Sequence, residues 1–389
     1  MEFTNGQKEA FSGLKDWWKR LYKQIYVING YAGVGKTTIV KYFLEDIGIE
    51  PHQYRIMTLS GKASLVLTNK GTPAKTMHSE MYYLEVTDER LPSGRIVETQ
   101  RFIFNPNAMD GVLLLIIDEI SMVNMNLIRD ALSYGIPIIV LGDRMQLPPI
   151  GEDNGLLANP DVNLTEITRQ ALDNPIIYLS MLARQKKWIQ PGVYKDKKGV
   201  SRVAVIPAYN GINDITDRML LNSDQIICGY NKTRKDINAR ARQLKGHIGN
   251  LPVIGDKMIC TKNNWDMVID KTPLINGLIG YATSEAYDID KIERTFKIKF
   301  RPEFSDRLTG KEIKIDLQNF ENFEIPLIKR SKINQFDFGD AITCHKSQGS
   351  EYDKVVLYEE VLSIEDHHRW AYTGLTRARS GLIYFQRTS

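Results

Sequence analysis

Three cysteines in 389 residues, Cys228, Cys260 and Cys344, are too few and too far apart for a disulfide framework or a CxxC motif. A reduced chain follows, and neither metal-finger nor small secreted scaffolds fit. No apolar run approaches the roughly 18 residues of a membrane span; "VLLLII" at 112–117 is strand-sized. The opening "MEFTNGQKEAF" lacks a basic-then-apolar pattern, so export is not expected and a cytoplasmic location without membrane attachment is. Internal repeats and low-complexity tracts are absent as well. A net charge of only +4 creates no strong single-sign field, so a polyanionic partner is allowed but not demanded.

What is present is a succession of short β-branched runs. "IYVIN" (25–29), "YRIMTL" (54–59), "VLLLIID" (112–118) and "IPIIVLGD" (136–143) lack the polar alternation of a half-exposed sheet and read as buried strands. The helical stretch "KTTIVKYFLEDIG" (36–48) lies between the first two and closes on glycine. Strands alternating with helices predict a parallel α/β sheet. "QIICGYN" (225–231), "KVVLYEE" (354–360) and "GLIYFQ" (381–386) predict a second α/β unit. Two insertions interrupt the pattern. Residues 82–107 contain "DERLPSGRIVETQRFIF", two short strands around a Pro-Ser-Gly turn, and residues 252–332 carry the alternating segments of an antiparallel β unit.

"GYAGVGKT" (30–37) matches G-x-x-x-x-G-K-[ST] between a predicted strand and a predicted helix. Glycines let such a loop curl its N–H groups toward phosphate at a helix N-terminus. Lys36 is then placed for the β- and γ-phosphates and the Thr37 hydroxyl for Mg²⁺. "LLLIIDEIS" (113–121) ends a buried strand on an acidic pair. Asp118 is positioned to hold the Mg²⁺ shell, and Glu119 to orient and deprotonate an attacking water. Phosphoryl transfer also needs positive charge on the leaving phosphate, for which Arg169 in "LTEITRQA" and Arg377 in "AYTGLTRARSGLIYF" are candidates.

The ordered series "GYAGVGKTT", "LSGKAS…TMHS", "DEIS", "LGDRMQLPPI", "LTEITRQ", "TCHKSQGSEYDKVV" and "YTGLTRAR" resembles the motifs of superfamily 1 helicases, closest to the RecD-like and phage Dda-like class that moves 5′→3′. The motifs span residues 7 to 379. The resemblance implies two RecA-like domains with ATP between them and single-stranded DNA across both: residues 1–81 and 108–168, then 169–251 and 333–389. It implies a strand-separating pin at 82–107 and an SH3-like β insertion at 252–332. Gln7 would recognise adenine, and Gly30, Gly33, Gly35, Lys36, Thr37, Thr38 and Asp118 would hold nucleotide and Mg²⁺. Gln146 would sense the γ-phosphate, Arg169 and Arg377 would contact it from the second domain, and Gly349 and Glu351 would lie beside the nucleotide, Glu351 at the ribose. Thr168 departs from the family, many of whose members carry a base-stacking tyrosine there.

Binding a single strand without regard to sequence needs backbone-directed donors and a few stacking surfaces. Ser60, Lys62 and Ser64 of "SGKAS", Thr76 and His78 of "TMHS", and Thr343, His345 and Lys346 of "TCHKSQG" are the candidates, with Phe102 of "RFIF" as a stacking surface. The basic runs "ARQKKW" (183–188) and "KDKKG" (195–199) read as a solvated helix end and loop. The expected activity is ATP-driven translocation on single-stranded DNA and unwinding of forked duplex by a monomer, alone or with a single-strand-binding or replication protein. An RNA helicase of the same superfamily, or an ATP-dependent switch or loader, are the alternatives. With no further domain ahead of Gln7, a minimal motor of phage or bacterial origin is expected.

Overall fold

Residues whose side chains point alternately into two helical layers cannot afford polar alternation, and the central strands follow that rule. The computed structural model describes residues 3–90, 96–148, 154–166, 173–199, 202–270, 272–303, 305, 307–321, 333–361 and 363–387, with main chain alone at 84, 86–90, 96–101, 265 and 266. The first half comprises helix α1 (Asn5–Arg20), strand β1 (Ile25–Gly30), α2 (Lys36–Ile47), β2 (Tyr54–Thr58), α3 (Gly61–Asn69), β3 (Lys75–Thr76) and α4 (Met77–Met81). The hairpin β4 (Tyr82–Arg90) and β5 (Ile96–Phe104) follows, then β6 (Leu114–Ile117), α5 (Met125–Ser133), β7 (Ile138–Gly142) and β8 (Val162–Leu164). Its sheet has the order β3-β2-β6-β7-β1-β8 and is parallel throughout. All four strands expected in this half are present, and they form the centre of the sheet.

The first half also shows why its helices start and stop where they do. Thr4 and Gln7 form a reciprocal capping box at α1. Gly35 and Gly48, both left-handed, bracket α2. In the hairpin the two strands are nine residues each and pair in unbroken antiparallel register from Tyr82↔Phe104 to Arg90↔Ile96, longer than the short strands expected.

The second half begins with α6 (Pro175–Arg184), β9 (Gly192–Lys195), β10 (Arg202–Ala208), α7 (Asp217–Asn222), β11 (Gln225–Cys228) and α8 (Asn231–Leu244). The chain leaves into an antiparallel unit: β12 (Lys257–Cys260), β13 (Asn264–Ile269), β14 (Thr272–Leu274), β15 (Ile279–Ala282), β16 (Tyr287–Asp290), β17 (Thr295–Pro302), β18 (Lys311–Asp316) and β19 (Phe336–Phe338). It returns with β20 (Ala341–Thr343), α9 (Cys344–Ser347), β21 (Tyr352–Tyr358), α10 (His367–Leu375) and β22 (Ala378–Arg387). The second sheet runs β20-β11-β21-β22-β10-β9, parallel except for the edge strand β9. Trp370, Tyr372 and Leu375 of α10 are fully buried, and each large apolar side chain so covered stabilises by about 1.5–3 kcal/mol. Helix α10 is therefore a rigid part of this half.

Buried ion pairs tie α8 to the antiparallel unit: Arg234 meets Asp337 of β19 at 2.8 Å, and Arg242 meets Asp256. Asp256, wholly buried, accepts from Arg242 Nε at 3.0 and 3.1 Å and from the Val253 N–H at 2.9 Å. The same guanidinium donates to the carbonyls of Gly249 and Leu251 at 2.6 and 2.8 Å. Removing one member leaves the other charge uncompensated in the interior. Asp256→Ala is expected to lower stability by about 3–5 kcal/mol, measured by urea unfolding.

Candidate functional site

In open parallel sheets the carboxyl ends of the strands are where loops gather around ligands. Three such ends, from β1, β6 and β7, point to one place. The loop after β1 turns through Gly33 (φ 80°) and Gly35 (φ 84°), backbone angles that favour glycine. At Gly30 a Cβ would stand 2.9 Å from both Leu164 and Val34, so the strand end tolerates no side chain. Lys36 Nζ donates to the carbonyls of Gly30 at 2.7 Å and Tyr31 at 3.1 Å.

Past the end of β6, Asp118 is buried, with Oδ2 3.4 Å from Thr37 Oγ1 and Oδ1 accepting from the Glu119 N–H at 2.8 Å. Burial first and Glu119 second push the Asp118 carboxyl up to about 6, against the pull of Lys36. Glu119 has φ 54°, a left-handed angle that costs a non-glycine residue about 1–3 kcal/mol and is concentrated at functional sites. After β7, Asp143 is fully buried and Gln146 nearly so; the Gln146 Oε1 has no hydrogen-bond partner among the described residues.

These groups line a cleft of about 690 Å³, within the range of small-molecule sites. Gly33, Gly35, Lys36, Thr37 and Thr38 form its floor, and Asp118, Glu119 and Gln146 one wall. The opposite wall belongs to the second half: Gly349, Ser350, Glu351 and Arg377. Arg377 is buried and braced, its Nε on Thr373 O at 3.0 Å, one Nη on Ser350 O at 3.1 Å and the other on Thr376 Oγ1 at 3.0 Å. Glu351 stands at the mouth, 3.3 Å from Lys70 Nζ. Gln7 is not part of the lining; its Oε1 accepts from Thr4 N at 3.0 Å and its Nε2 donates to Val34 O at 2.9 Å, so in this structure its amide braces the loop. Arg169 and Thr168 lie outside the described residues.

Residues 18–152 match the model of an AAA domain, and residues 338–383 that of the UvrD-like helicase C-terminal domain. Along 98% of its length the chain is 23% identical to the ATP-dependent DNA helicase Dda of Enterobacteria phage T4, covering 99% of that protein. It is 25% identical to the ATP-dependent RecD2 DNA helicase of Deinococcus radiodurans over 92% of its own length, but spans 46% of that longer relative. The fold is shared with Pif1 from Bacteroides bound to single-stranded DNA (TM-score 0.56, 19% identity, all of this chain and 93% of that one). It is shared equally with Pif1 of Candida albicans (TM-score 0.55, 17% identity, 99% and 94%). The chain resembles superfamily 1 helicases along nearly its whole length.

The residues expected along a nucleic-acid track divide into two groups. Three lie in the interior. Lys62 is buried with Nζ 3.2 Å from the Tyr352 hydroxyl and 4.8 Å from its ring centre. Ser64 is buried 2.8 Å from Thr58 Oγ1. Thr76 is buried as the cap of α4, accepting from Ser79 N at 3.2 Å. Ser60 caps α3 in the same way and Thr343 caps α9. In each case the helix start was legible but what the fold packs against it was not.

The second group is accessible. His78 lies 5.6 Å from the Tyr82 ring and 5.0 Å from Phe102, which is 53% exposed, so hairpin base and α4 share one aromatic surface. His345 and Lys346 are half-buried on the second half; burial lowers both, and Arg234 adds to the effect at Lys346. Sequence reasoning missed Tyr31, Arg184 and Tyr372. The Arg184 guanidinium sits 3.3 Å from the Tyr31 ring centre, and Tyr372, from α10, bonds the loop 30–37 and Asp143 together. A tyrosine in an apolar helix carries no signal that would separate it from core.

Gly349 carries a close seam between the halves. Its φ is 71°, and a Cβ there would meet Ala63 Cβ at 2.9 Å and Ser60 Oγ at 3.3 Å. Gly349→Ala is expected to cost about 1–2 kcal/mol for the left-handed angle alone and to part the seam. Faster hydrogen exchange at the amides of 60–64, with the exchange of α1 unchanged, checks this.

Proposed function

We propose that the chain is an ATP-driven single-stranded DNA translocase that unwinds duplex in the 5′→3′ direction. The observation that carries the reading is the composition of the cleft: phosphate loop and acidic pair from one half, Arg377 from the other. Hydrolysis in such a cleft is tied to how closely the halves approach.

In this reading residues 1–81 and 108–168 form a RecA-like nucleotide-binding domain, and 169–251 with 333–389 its partner domain. The hairpin at 82–107 serves as the pin, and 252–332 as an SH3-like insertion. Lys36 holds the β- and γ-phosphates of ATP, with Thr38 and the loop N–H groups beside it. Thr37 and Asp118 offer one hydroxyl and one carboxylate, a hard-oxygen pair suited to Mg²⁺ that keeps its remaining positions for phosphate and water. When bound, Mg²⁺ supplies charge neutralisation of the β- and γ-phosphates. Glu119 orients and deprotonates the attacking water, and Gln146 and Arg377, with Arg169, face the γ-phosphate as charge develops. The single strand runs over His78 and Phe102 and across His345 and Lys346, with aromatic stacking of about 1–3 kcal/mol per base supplying grip without sequence preference. Gln7 acts on adenine through the loop it braces, and Glu351 must leave Lys70 to reach a ribose. The motor works as a monomer inside the cell; no described helix is long and apolar enough to cross a membrane.

Glu119→Gln is expected to retain ATP binding while lowering DNA-stimulated kcat by about 10²–10⁴, read by nucleotide titration alongside phosphate release. Strand displacement on duplexes with a 5′ or a 3′ single-stranded tail tests the activity itself. Unwinding from the 5′ tail alone is the expected outcome. Unwinding from the 3′ tail overturns the polarity; stimulation by RNA but not DNA overturns the substrate; and hydrolysis without displacement on either tail points to a switch.

A further inference from the structure

The loop 143–147, which carries Gln146, is held at both ends by α10 of the other half. At its start, the Tyr372 hydroxyl donates to Asp143 Oδ2 while accepting from the Ala32 N–H of the phosphate loop at 3.2 Å. One phenol thus satisfies a donor and an acceptor from two separate loops, its full capacity in that direction. At the loop's end, the Leu147 N–H donates to Thr373 Oγ1 at 3.0 Å and Gln348 Nε2 donates to the Leu147 carbonyl at 3.2 Å. The Leu147 side chain is buried in the second half's apolar core, alongside Tyr372, Leu179 and Leu357. Gln146 lies between these two grips.

Beside the longer-range pull of Lys36, Asp143 has few direct partners. It is wholly buried, and apart from Tyr372 its carboxylate accepts from the Met145 N–H at 3.0 Å. Opening the cleft would strip a buried carboxylate of its hydroxyl donor and free the Ala32 N–H in the same motion. We propose that Tyr372 is a positioning residue that registers closure of the second half and, through Asp143 and Ala32, sets both Gln146 and the phosphate loop for hydrolysis. The inference rests on the ATPase reading above and adds a residue to it.

Tyr372→Phe keeps the ring and its packing and removes only the hydroxyl. Losing a hydrogen bond to a buried carboxylate is expected to lower DNA-stimulated kcat by about tenfold, while KM for ATP stays within about threefold, the pattern of an interaction made chiefly in the transition state. Asp143→Asn is expected to give a similar fall. If Tyr372 acts through Asp143, the double variant is no worse than the worse single one. An unchanged kcat in Tyr372→Phe overturns the inference, as does a fall matched by the loss of thermal stability, or additive effects in the double variant. If wild-type protein shows no DNA-stimulated hydrolysis, the ATPase reading and this inference fall together. If wild type is stimulated and Tyr372→Phe equals it, the inference alone falls.

Discussion

The arrangement depends on one imbalance of charge. Lys36 faces Asp118 and Asp143 at the ends of neighbouring strands, and Glu119 adds a third carboxylate to the field at both. In a partly dry cleft like charges interact several-fold more strongly than in water, so these carboxylates oppose a polyphosphate and every added cation counts. Lys41 and Lys70 line the cleft from the same half. Arg377 is brought to the opposite wall on the rigid end of α10, and the oxygens of Thr37 and Asp118 face a position suited to a divalent ion. The second half thus adds a buried guanidinium to the lysines that the first half already supplies.

The seams between the halves differ in what they contribute. Lys70 and Glu351 are both largely exposed, and such a pair adds at most about 1 kcal/mol; it guards the mouth and yields readily. Lys62 is different. Its ammonium is buried against the Tyr352 ring and hydroxyl, and Gly349 presses on the start of the same helix. Parting this seam would return the lysine to water, and the hydration it regains offsets the packing it gives up. The closed state is therefore held by shape and by hydroxyl groups more than by ion pairs, and that leaves it reversible.

Much of the nucleotide site was legible because its parts are local. A strand, a glycine loop, a lysine and a helix start lie within a dozen residues, and Asp118 announces itself as the first charge after four buried apolar residues. Strands β1, β2, β6, β7, β11, β21 and β22 were readable for the same reason, since burial on both faces leaves a continuous apolar signature. What was not legible is whatever depends on tertiary packing. Lys62, Ser64 and Thr76 sit at helix starts that look like phosphate sites until Tyr352 of the other half, and Thr58 and the turn of α4 of the same half, are seen against them. Tyr372 is the reverse case, a residue whose helix reads as core and whose hydroxyl finds its use only when Asp143 and Ala32 arrive from the first half. Edge strand β9 and β10 were missed because Gly, Lys and Pro dilute their pattern.

The antiparallel unit touches both halves, and the bonds it makes decide which one it follows. Toward the second half it sends Lys257, whose Nζ is buried on the Asp224 carbonyl and 3.1 Å from Gln225 Oε1, and Asp256, buried on Arg242. Ile259 and Ile279 extend into that half's own apolar core. Toward the first half it offers an apolar edge, where Ile275 packs over Gly61 and the unit's core meets Leu65. Breaking the polar set would strand a buried ammonium and a buried carboxylate, each at a cost of several kcal/mol. Sliding the apolar edge exposes a few methyl groups, at about 0.8 kcal/mol each. The unit is therefore bonded chiefly to the second half, and it meets the first half at the loop 274–277, where Gly277 (φ 90°) faces Lys62. That contact lies at the start of α3, beside the seam that Gly349 makes with Ala63.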